Sequence, residues 1–233
     1  MGSNTQNILI CAGSNCNQRL TGRYYYYKVG KIEKAYCSEC ISSPRCDVCG
    51  FPTGKKYWKL SDSRILCRSC DATSIVDYEV AFDLFRTTKR YLKDYLNMDF
   101  KHPVGFRLLD KNELAKHGHN LLGYFEWIEK RGKKKYAIYI LSRLPKPIMI
   151  GVFAHELTHL WQAENIRVKQ SKLLSEGFAQ WVEYRLFDNF HQETQMYLME
   201  HRKDTYGQGL QVVKEIEKKA GTTNVFNVIR NIS

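Results

Sequence analysis

The sequence predicts an α+β protein of two domains, a zinc-stapled module of β-hairpins followed by a larger domain that holds a metal ion between helices. Three observations predict this arrangement. All eight cysteines lie between positions 11 and 70, where short β-rich runs alternate with turn residues. From position 71 the apolar residues follow helical spacing, and an H-E-x-x-H motif begins at residue 155. We therefore expect domains at residues 8–70 and 71–233.

The cysteines form four close pairs, and most of these pairs have the C-x-x-C spacing of structural zinc sites. Disulfide-rich secreted modules also concentrate cysteine, but we find no secretory signal in this sequence. The longest apolar run, near residues 148–154, is too short to span a bilayer. We therefore expect a cytoplasmic protein with no membrane partner, whose thiolates bind two structural zinc ions.

Two connectivities of the cysteine pairs are open. A cross-braced scheme, as in RING domains, would interleave the pairs, whereas a sequential scheme would use them in chain order. Only five residues separate the second pair from the third, as in two stacked zinc ribbons of the LIM arrangement, so we favour the sequential scheme. The first pair departs from the pattern, since it is C-x₄-C. The sequential ligand sets are Cys11, Cys16, Cys37 and Cys40 for one zinc and Cys46, Cys49, Cys67 and Cys70 for the other.

Aromatic residues and positive charge raise the question of nucleic acid binding. The four consecutive tyrosines at 24–27 could stack on bases, but such a run is more often a strand with alternating faces. The formal net charge of +12 counts each cysteine as neutral. Two zinc ions with four thiolates each would lower the charge to +8, and a third zinc would bring it to +10. A nucleic acid partner is therefore weakly supported.

The second domain is predicted to begin with a long helix over residues 71–97, which connects it to the zinc module. A strand at 104–110 and a short helix at 111–117 follow. Two further strands, at 121–129 and 135–143, enclose a basic turn that we interpret as a solvated hairpin tip. A small antiparallel sheet then leads directly into the motif helix.

This order of a sheet followed by a metal helix is that of the zincin peptidases. Their last strand is an exposed edge, on which an extended peptide adds as a further strand. We expect residues 135–141, of sequence KYAIYIL, to be that edge.

The stretch GVFAHELTHLWQAEN carries the chemistry of the second domain. His155 and His159 are four positions apart, so on a helix both imidazoles face one ion. Glu156 points to one side, where its carboxylate reaches a metal-activated water without being a ligand. The alternative is an ordinary amphipathic helix with surface histidines. The apolar residues on most sides of the motif predict burial, which favours the metal site.

A catalytic zinc usually has three protein ligands. The motif supplies two of them, so the third ligand must lie elsewhere in the sequence. Glu176 lies seventeen residues after His159, near the start of the next amphipathic helix. This is the order of a gluzincin, and we predict Glu176 as the third ligand. Gly177 and Ala179 are small and would let this helix approach the motif helix closely. Glu183 is two turns away and is better interpreted as supporting the ligands or as exposed.

Several motifs together resemble one family. HELTHLWQ followed by SEGFAQ and DTYGQG, after a cysteine module containing SSPRCDVCG and LSDSRILCRSC, is similar to the plant growth-regulating LIM-containing peptidases of the DA-one type and their bacterial relatives. The resemblance runs from about residue 37 into the C-terminal helices. It implies a zinc metallopeptidase linked to ubiquitin signalling, with zinc ligands at His155, His159 and Glu176 and the general base at Glu156.

Peptide hydrolysis also requires a donor for the oxyanion. Tyr206, in the Tyr-Gly-x-Gly stretch that matches this family, is the preferred candidate. The candidates behind it are Tyr184, His191 and His201. The remaining histidines, His102, His117 and His119, have no ligand-like spacing and are expected on the surface or in loops.

The leading hypothesis is a zinc endopeptidase that acts on protein or peptide substrates. It would bind one catalytic and two structural zinc ions. The LIM-like module would recognise the substrate or a partner, and the resemblance adds a ubiquitin-linked partner. One alternative is a SprT-like protease acting on DNA-bound proteins, although such proteases have a third histidine soon after the motif. Another is a non-catalytic LIM adaptor, for which an intact set of ligands and base would be unnecessary.

Overall fold

The computed structural model describes residues 8–232, except for the side chains of Lys130 and Lys133. These residues fall into two compact units that divide between Ser74 and Ile75. The division lies four residues beyond the boundary expected from the last cysteine, because the short helix that contains Cys70 continues to Ala72.

The first unit consists of two small antiparallel hairpins, each followed by a short helix. The first hairpin pairs β1 (Tyr25–Val29) with β2 (Ile32–Tyr36) and leads into α1 (Ser38–Ile41). The second pairs β3 (Tyr57–Lys59) with β4 (Ile65–Cys67) and leads into α2 (Arg68–Ala72). Each helix begins directly after a cysteine, so the chain turn that starts the helix also directs a thiol inward.

The last three residues of the tyrosine run begin the first strand, which has alternating faces. Tyr25 and Tyr27 are half-buried, and the ring of Tyr27 lies 5.9 Å from that of Phe51. Tyr26 points outward with 55% of its surface exposed. The buried apolar side chains in this unit are few, with Tyr36 and Phe51 packed on one set of cysteines and Leu66 on the other. A core of this size needs additional crosslinks to remain folded.

The long helix α3 (Tyr78–Leu96) begins at Tyr78, whereas the sequence predicted a helix from residue 71. The prediction of one continuous helix was wrong over 73–77: residues 71 and 72 end α2, and Asp77 caps α3, its carboxylate accepting the N–H of Val80. A short strand, β5 (Ser74–Ile75), precedes this cap. At the other end, Asn97 adopts a left-handed conformation with φ +53° and terminates the helix.

A three-stranded sheet follows, with the order β6-β8-β7. Its strands are β6 (Gly105–Leu109), β7 (Gly123–Lys130) and β8 (Lys133–Leu141), with the short helix α4 (Lys111–Leu114) between the first two. β8 is the central strand, paired parallel with β6 and antiparallel with β7. The expectation that residues 135–141 form an exposed edge was therefore wrong, and the edge strand of this hairpin is β7.

The remainder of the second unit is helical after the short strand β9 (Leu144–Pro145). The helices are α5 (Lys146–Asn165), α6 (Lys172–Asn189), α7 (Glu193–Glu200), α8 (Thr205–Ala220) and α9 (Thr222–Asn231). Large side chains of α5 and α6 form the centre of the core, including Phe153, Trp161, Phe178 and Trp181. Within residues 8–232, no helix combines the length and apolar character that crossing a bilayer requires.

Candidate active site

Two imidazoles and one carboxylate converge between α5 and α6. The Nε2 atoms of His155 and His159 lie 3.2 Å apart. Glu176 places its Oε2 atom 3.2 Å from the first of these nitrogens and 3.4 Å from the second. The three residues predicted as ligands therefore present their donor atoms to one point.

The donor set fits zinc. Nitrogen and oxygen ligands at about 2.0–2.1 Å from a tetrahedral zinc lie roughly 3.3 Å from one another. The three separations between His155, His159 and Glu176 are 3.2–3.4 Å. The set also leaves one position open, as a hydrolytic zinc site requires.

Local folding explains how these side chains meet. α5 is buried along most of its length, so the i, i+4 pair of histidines is directed into the protein. Ser171 caps α6 by accepting the N–H of Leu174, which fixes the helix start shortly before Glu176.

The ring of His159 is oriented by Gln162. The Oε1 atom of this glutamine lies 2.7 Å from Nδ1 of His159, and its Nε2 atom donates to the carbonyl of Ser175. Gln162 therefore connects a histidine of α5 to the residue that precedes Glu176 on α6.

The ring of His155 is oriented from α6. Oε2 of Glu183 lies 3.5 Å from Nδ1 of His155 and accepts a 2.7 Å hydrogen bond from Gln180. Glu183 is therefore not exposed, and it does not join the three convergent donor atoms. Its side chain instead contacts Nδ1 of His155, the ring nitrogen that faces away from those donors. Metal-bound histidines commonly have their second nitrogen held in this way.

The surrounding carboxylates favour positive charge at this point. Burial disfavours the charged form of His155, but hydrogen bonds to Glu176 and Glu183 outweigh it and raise the pKa of His155 to about 10. Burial also opposes ionisation of Glu176, yet its bonds to both histidines hold the pKa of this carboxyl well below its usual range. A divalent cation supplies the positive charge that such a cluster favours.

Glu156 lies beside the convergent donors and has a different environment. It is buried, and burial raises the pKa of its carboxyl despite the opposing charges of the two histidines. Gly123 of β7 packs directly on it: a Cβ atom at position 123 would lie 2.5 Å from Oε1 of Glu156. A carboxylate with a raised pKa is suited to accept and return a proton near neutral pH.

An open cleft of about 900 Å³ runs along β7 and α5 past these residues. A second cavity of about 300 Å³ adjoins it and extends towards Arg202 and Asp204. Six residues border both spaces and therefore surround their junction: His119, Leu121, Gly123, His155, Glu156 and Tyr206.

Of the four candidates for an oxyanion donor, Tyr206 is the one that lies at the junction. Its ring centroid is 5.9 Å from that of His155. Burial, followed by the charges of Glu176 and Glu156, raises the pKa of Tyr206 to about 12, so its hydroxyl keeps its proton. Tyr184 instead donates its hydroxyl to Glu200, and His201 contacts the carbonyl of Tyr197.

Sequence reasoning missed several residues around this site. Gln162 and Gln180 each lie one helical turn from a predicted ligand, a spacing that could have identified them. His117 and His119 lie in a loop, as expected, and both also line the cleft, which was not expected. No spacing in the sequence relates them to the H-E-x-x-H motif, because the loop reaches the cleft through the tertiary fold.

The cysteines of the first unit form two further clusters, grouped in sequential order as Cys11, Cys16, Cys37 and Cys40 and as Cys46, Cys49, Cys67 and Cys70. Neighbouring sulfur atoms lie 3.8 Å apart in three pairs: Cys11–Cys37, Cys16–Cys37 and Cys49–Cys67. A disulfide requires about 2.05 Å, whereas thiolates on a tetrahedral zinc at about 2.3 Å lie roughly 3.8 Å apart. Both clusters therefore fit structural zinc.

Backbone N–H groups support the same interpretation of the clusters. The N–H of Cys37 donates to Sγ of Cys11 at 3.3 Å, and the N–H of Cys67 donates to Sγ of Cys46 at 3.3 Å. Donors of this kind stabilise the thiolate form that binds metal.

One part of the chain matches a known protein family. Residues 142–231 match the Peptidase family M1 domain, a stretch that contains both α5 and α6 with their convergent donors. No curated protein and no solved structure matched the chain. The matched segment covers less than half of the sequence, and it indicates zinc metallopeptidase activity for the second unit.

Proposed function

We propose that this protein is a zinc endopeptidase of the gluzincin type, with His155, His159 and Glu176 as zinc ligands. The observation that carries the proposal is the convergence of these three donors at 3.2–3.4 Å beside a buried glutamate and an open cleft. The match of residues 142–231 to the M1 peptidase domain supports it.

Each residue of the site has a separate role in hydrolysis. Zinc, when bound, polarises the scissile carbonyl and makes water a stronger nucleophile. Glu156 accepts a proton from the attacking water and delivers it to the nitrogen of the leaving amine, so the carboxylate is regenerated. Tyr206 donates a hydroxyl hydrogen bond to the carbonyl oxygen as negative charge develops there and keeps its proton.

The shape of the cleft favours cleavage within a chain. The larger space follows β7 and α5 past Glu156, and the smaller cavity, which Glu156 also borders, extends towards Arg202 and Asp204. A polypeptide can therefore extend in both directions from the scissile bond.

β7 offers the hydrogen-bonding groups for such a substrate. The N–H of Leu141 donates to the carbonyl of Leu122, so main-chain groups of alternate residues face β8. By the same alternation those of Gly123, Phe125 and Trp127 face the open edge. An extended peptide adds to this edge through backbone bonds that are independent of its sequence.

We assign the first unit a supporting role as a LIM-like module that recognises the substrate or a partner. The fit of both cysteine clusters to zinc supports a stable module, and the free thiols suit a reducing compartment such as the cytoplasm. By the resemblance to the DA-one type peptidases, the partner is ubiquitin-linked.

The two alternatives predict different sites. A SprT-like protease acting on DNA-bound proteins would place a third histidine with His155 and His159, where Glu176 lies here. A LIM adaptor without catalysis would have no need of a general base, whereas Glu156 is held beside the donors by close packing against Gly123.

Metal counting combined with a Glu156→Gln variant tests the proposal. We expect the full chain to bind three zinc ions and to cleave a denatured protein. The variant should retain all three ions while its kcat falls by about 10²–10⁴-fold, because only the proton acceptor is lost. His155→Ala should bind two ions and be inactive.

The matched control is Glu215→Gln, the same change at an exposed position of α8, and it should behave as the wild type. Two zinc ions in the wild type, with none lost from His155→Ala, would contradict the catalytic assignment.

A further inference from the structure

The junction of the two cavities contains one polar residue with no role in the mechanism above. Of the six residues around the junction, Leu121 and Gly123 provide walls, and His155, Glu156 and Tyr206 provide a ligand, a base and a donor. The sixth is His119, whose side chain is exposed to solvent from the cleft.

The loop that presents His119 is held at both ends. On one side the ring of His117 packs against Tyr124 and Tyr139, with centroid distances of 4.7 and 4.8 Å. On the other side Gly123 lies against Glu156 and Val152 so closely that a Cβ atom would not fit. These contacts fix the position of the loop relative to the sheet and to Glu156, the proposed general base.

The turn within the loop also has a defined geometry. Asn120 adopts the left-handed conformation with φ +57°, which reverses the chain directly after His119. The loop then descends into β7, the edge strand of the cleft. His119 is thus presented at the end of β7 that is nearest Glu156.

We propose that His119 contacts the substrate at the scissile peptide and donates a ring N–H hydrogen bond to its carbonyl oxygen. This inference rests on the proposed peptidase function. His119 approaches from the loop before β7, and Tyr206 approaches from α8. The histidine keeps its proton in this step, since the proton released by water passes through Glu156 to the leaving amine.

A hydrogen bond made to the developing oxyanion stabilises the transition state more than the bound substrate. Removal of His119 should therefore lower kcat with little effect on KM. A residue that only shaped the loop would instead change the folded stability, the zinc content or KM. The two roles are separable by measurement.

The experiment compares His119→Ala and His119→Gln in the zinc-loaded full chain. We expect His119→Ala to lower kcat about 10–100-fold while KM changes less than about 3-fold. Glutamine retains an N–H donor and should recover about tenfold of the loss. Zinc content and thermal unfolding should match the wild type. His102→Ala, a change at an exposed histidine that lines neither cavity, is the control and should have wild-type activity.

A binding measurement provides a readout that is independent of turnover. A phosphinic peptide of a cleaved sequence, which has the tetrahedral geometry of the transition state, should bind His119→Ala more weakly by the same factor as the loss in kcat/KM. The unmodified peptide should bind Glu156→Gln and the Glu156→Gln/His119→Ala double variant equally. Unchanged kcat, unchanged phosphinic peptide affinity or loss of zinc from His119→Ala would overturn the inference. A wild type that neither binds the third zinc nor cleaves protein would instead contradict the proposed function itself.

Discussion

Gly177 of α6 and Gly209 of α8 lie in backbone contact. A Cβ atom on Gly177 would be 2.4 Å from the carbonyl carbon and oxygen of Gly209, and one on Gly209 would be 2.4 Å from the carbonyl oxygen of Leu173. Gly177 directly follows the predicted ligand Glu176, and Gly209 lies one turn after Tyr206. The crossing of the two glycines therefore sets the distance between Glu176 and Tyr206, the proposed ligand and oxyanion donor.

The first prediction concerns this crossing. Gly209→Ala should lower the free energy of unfolding by about 1–3 kcal/mol, because the added methyl group has no space between the helices. It should also lower kcat, since the helices can separate only by moving Tyr206 away from Glu176. Chemical denaturation and steady-state kinetics measure the two effects. Gly105→Ala is the control because its Cβ atom meets nothing within 4 Å; equal behaviour of the two variants would contradict the prediction.

The second prediction concerns Gly123. A methyl group here would lie 2.5 Å from Oε1 of Glu156 and 2.6 Å from Cγ1 of Val152. Gly123→Ala should displace the glutamate from the water and lower kcat about 10²-fold, in the range observed when general base catalysis is lost. Zinc content should be retained, since no ligand is moved. A variant with full activity would show that the contact does not position Glu156.

The third prediction concerns Glu183, whose carboxylate faces Nδ1 of His155. Glu183→Gln should lower zinc affinity about 10–100-fold, the usual effect of changing a residue that supports a metal-bound histidine. Competition with a chromophoric chelator measures the affinity of the catalytic zinc. Affinity equal to that of Glu215→Gln would exclude a supporting role.

The fourth prediction concerns the cysteine clusters. Chelation of all zinc should unfold residues 8–74 while the second unit stays folded, because the first unit has a small apolar core and thiolate zinc supplies most of its folding energy. Hydrogen exchange on the full chain, followed by mass spectrometry, resolves the two units. Protection of β1 to β4 that survives complete removal of zinc would contradict this account.

The fifth prediction concerns pH and the contact between Glu200 and Lys214, which Tyr184 joins. Burial alone would raise the pKa of Glu200, but bonds from Lys214 and Tyr184 outweigh it and lower the pKa below the ordinary value. Stability from this contact is therefore present above the ordinary carboxyl pKa and is lost as pH falls through the lowered value. Glu200→Gln should lose about 0.5–1 kcal/mol at pH 7, and the loss should shrink as the pH falls below the ordinary carboxyl pKa. Urea unfolding over a pH series measures this, and a loss that does not change with pH would contradict it.

The convergence of the three donor residues could be predicted from sequence because their spacing is local. His155 and His159 share one helix face at i, i+4, and Glu176 lies near the start of the next helix. The partner of Gly177 could not be predicted in this way. It was expected to let α6 approach α5, but its close contact is with Gly209, about thirty residues later in the chain. The glycine of α5 that contacts α6 is instead Gly151, which packs on Phe187 and Glu183.

The edge strand was predicted wrongly for a physical reason. The alternation of side chains in residues 135–141 is the same whether a strand lies at the centre or at the edge of a sheet. The position is decided by β6, which pairs parallel to β8 from Gly105↔Ala137 to Leu109↔Leu141. Such a long-range parallel pairing leaves no local signal in the sequence.

The open edge of β7 has a further consequence, for self-association. A strand with one open edge and exposed apolar side chains is a template for pairing with a second copy of the chain, and Trp127 of β7 is 50% exposed. The hairpin tip that follows is densely basic, with Arg131, Lys134 and Lys135. The ammonium group of Lys134 lies 5.2 Å over the ring of Trp127. Two such edges paired in parallel would place these like charges side by side, so the charges oppose that pairing with a second copy.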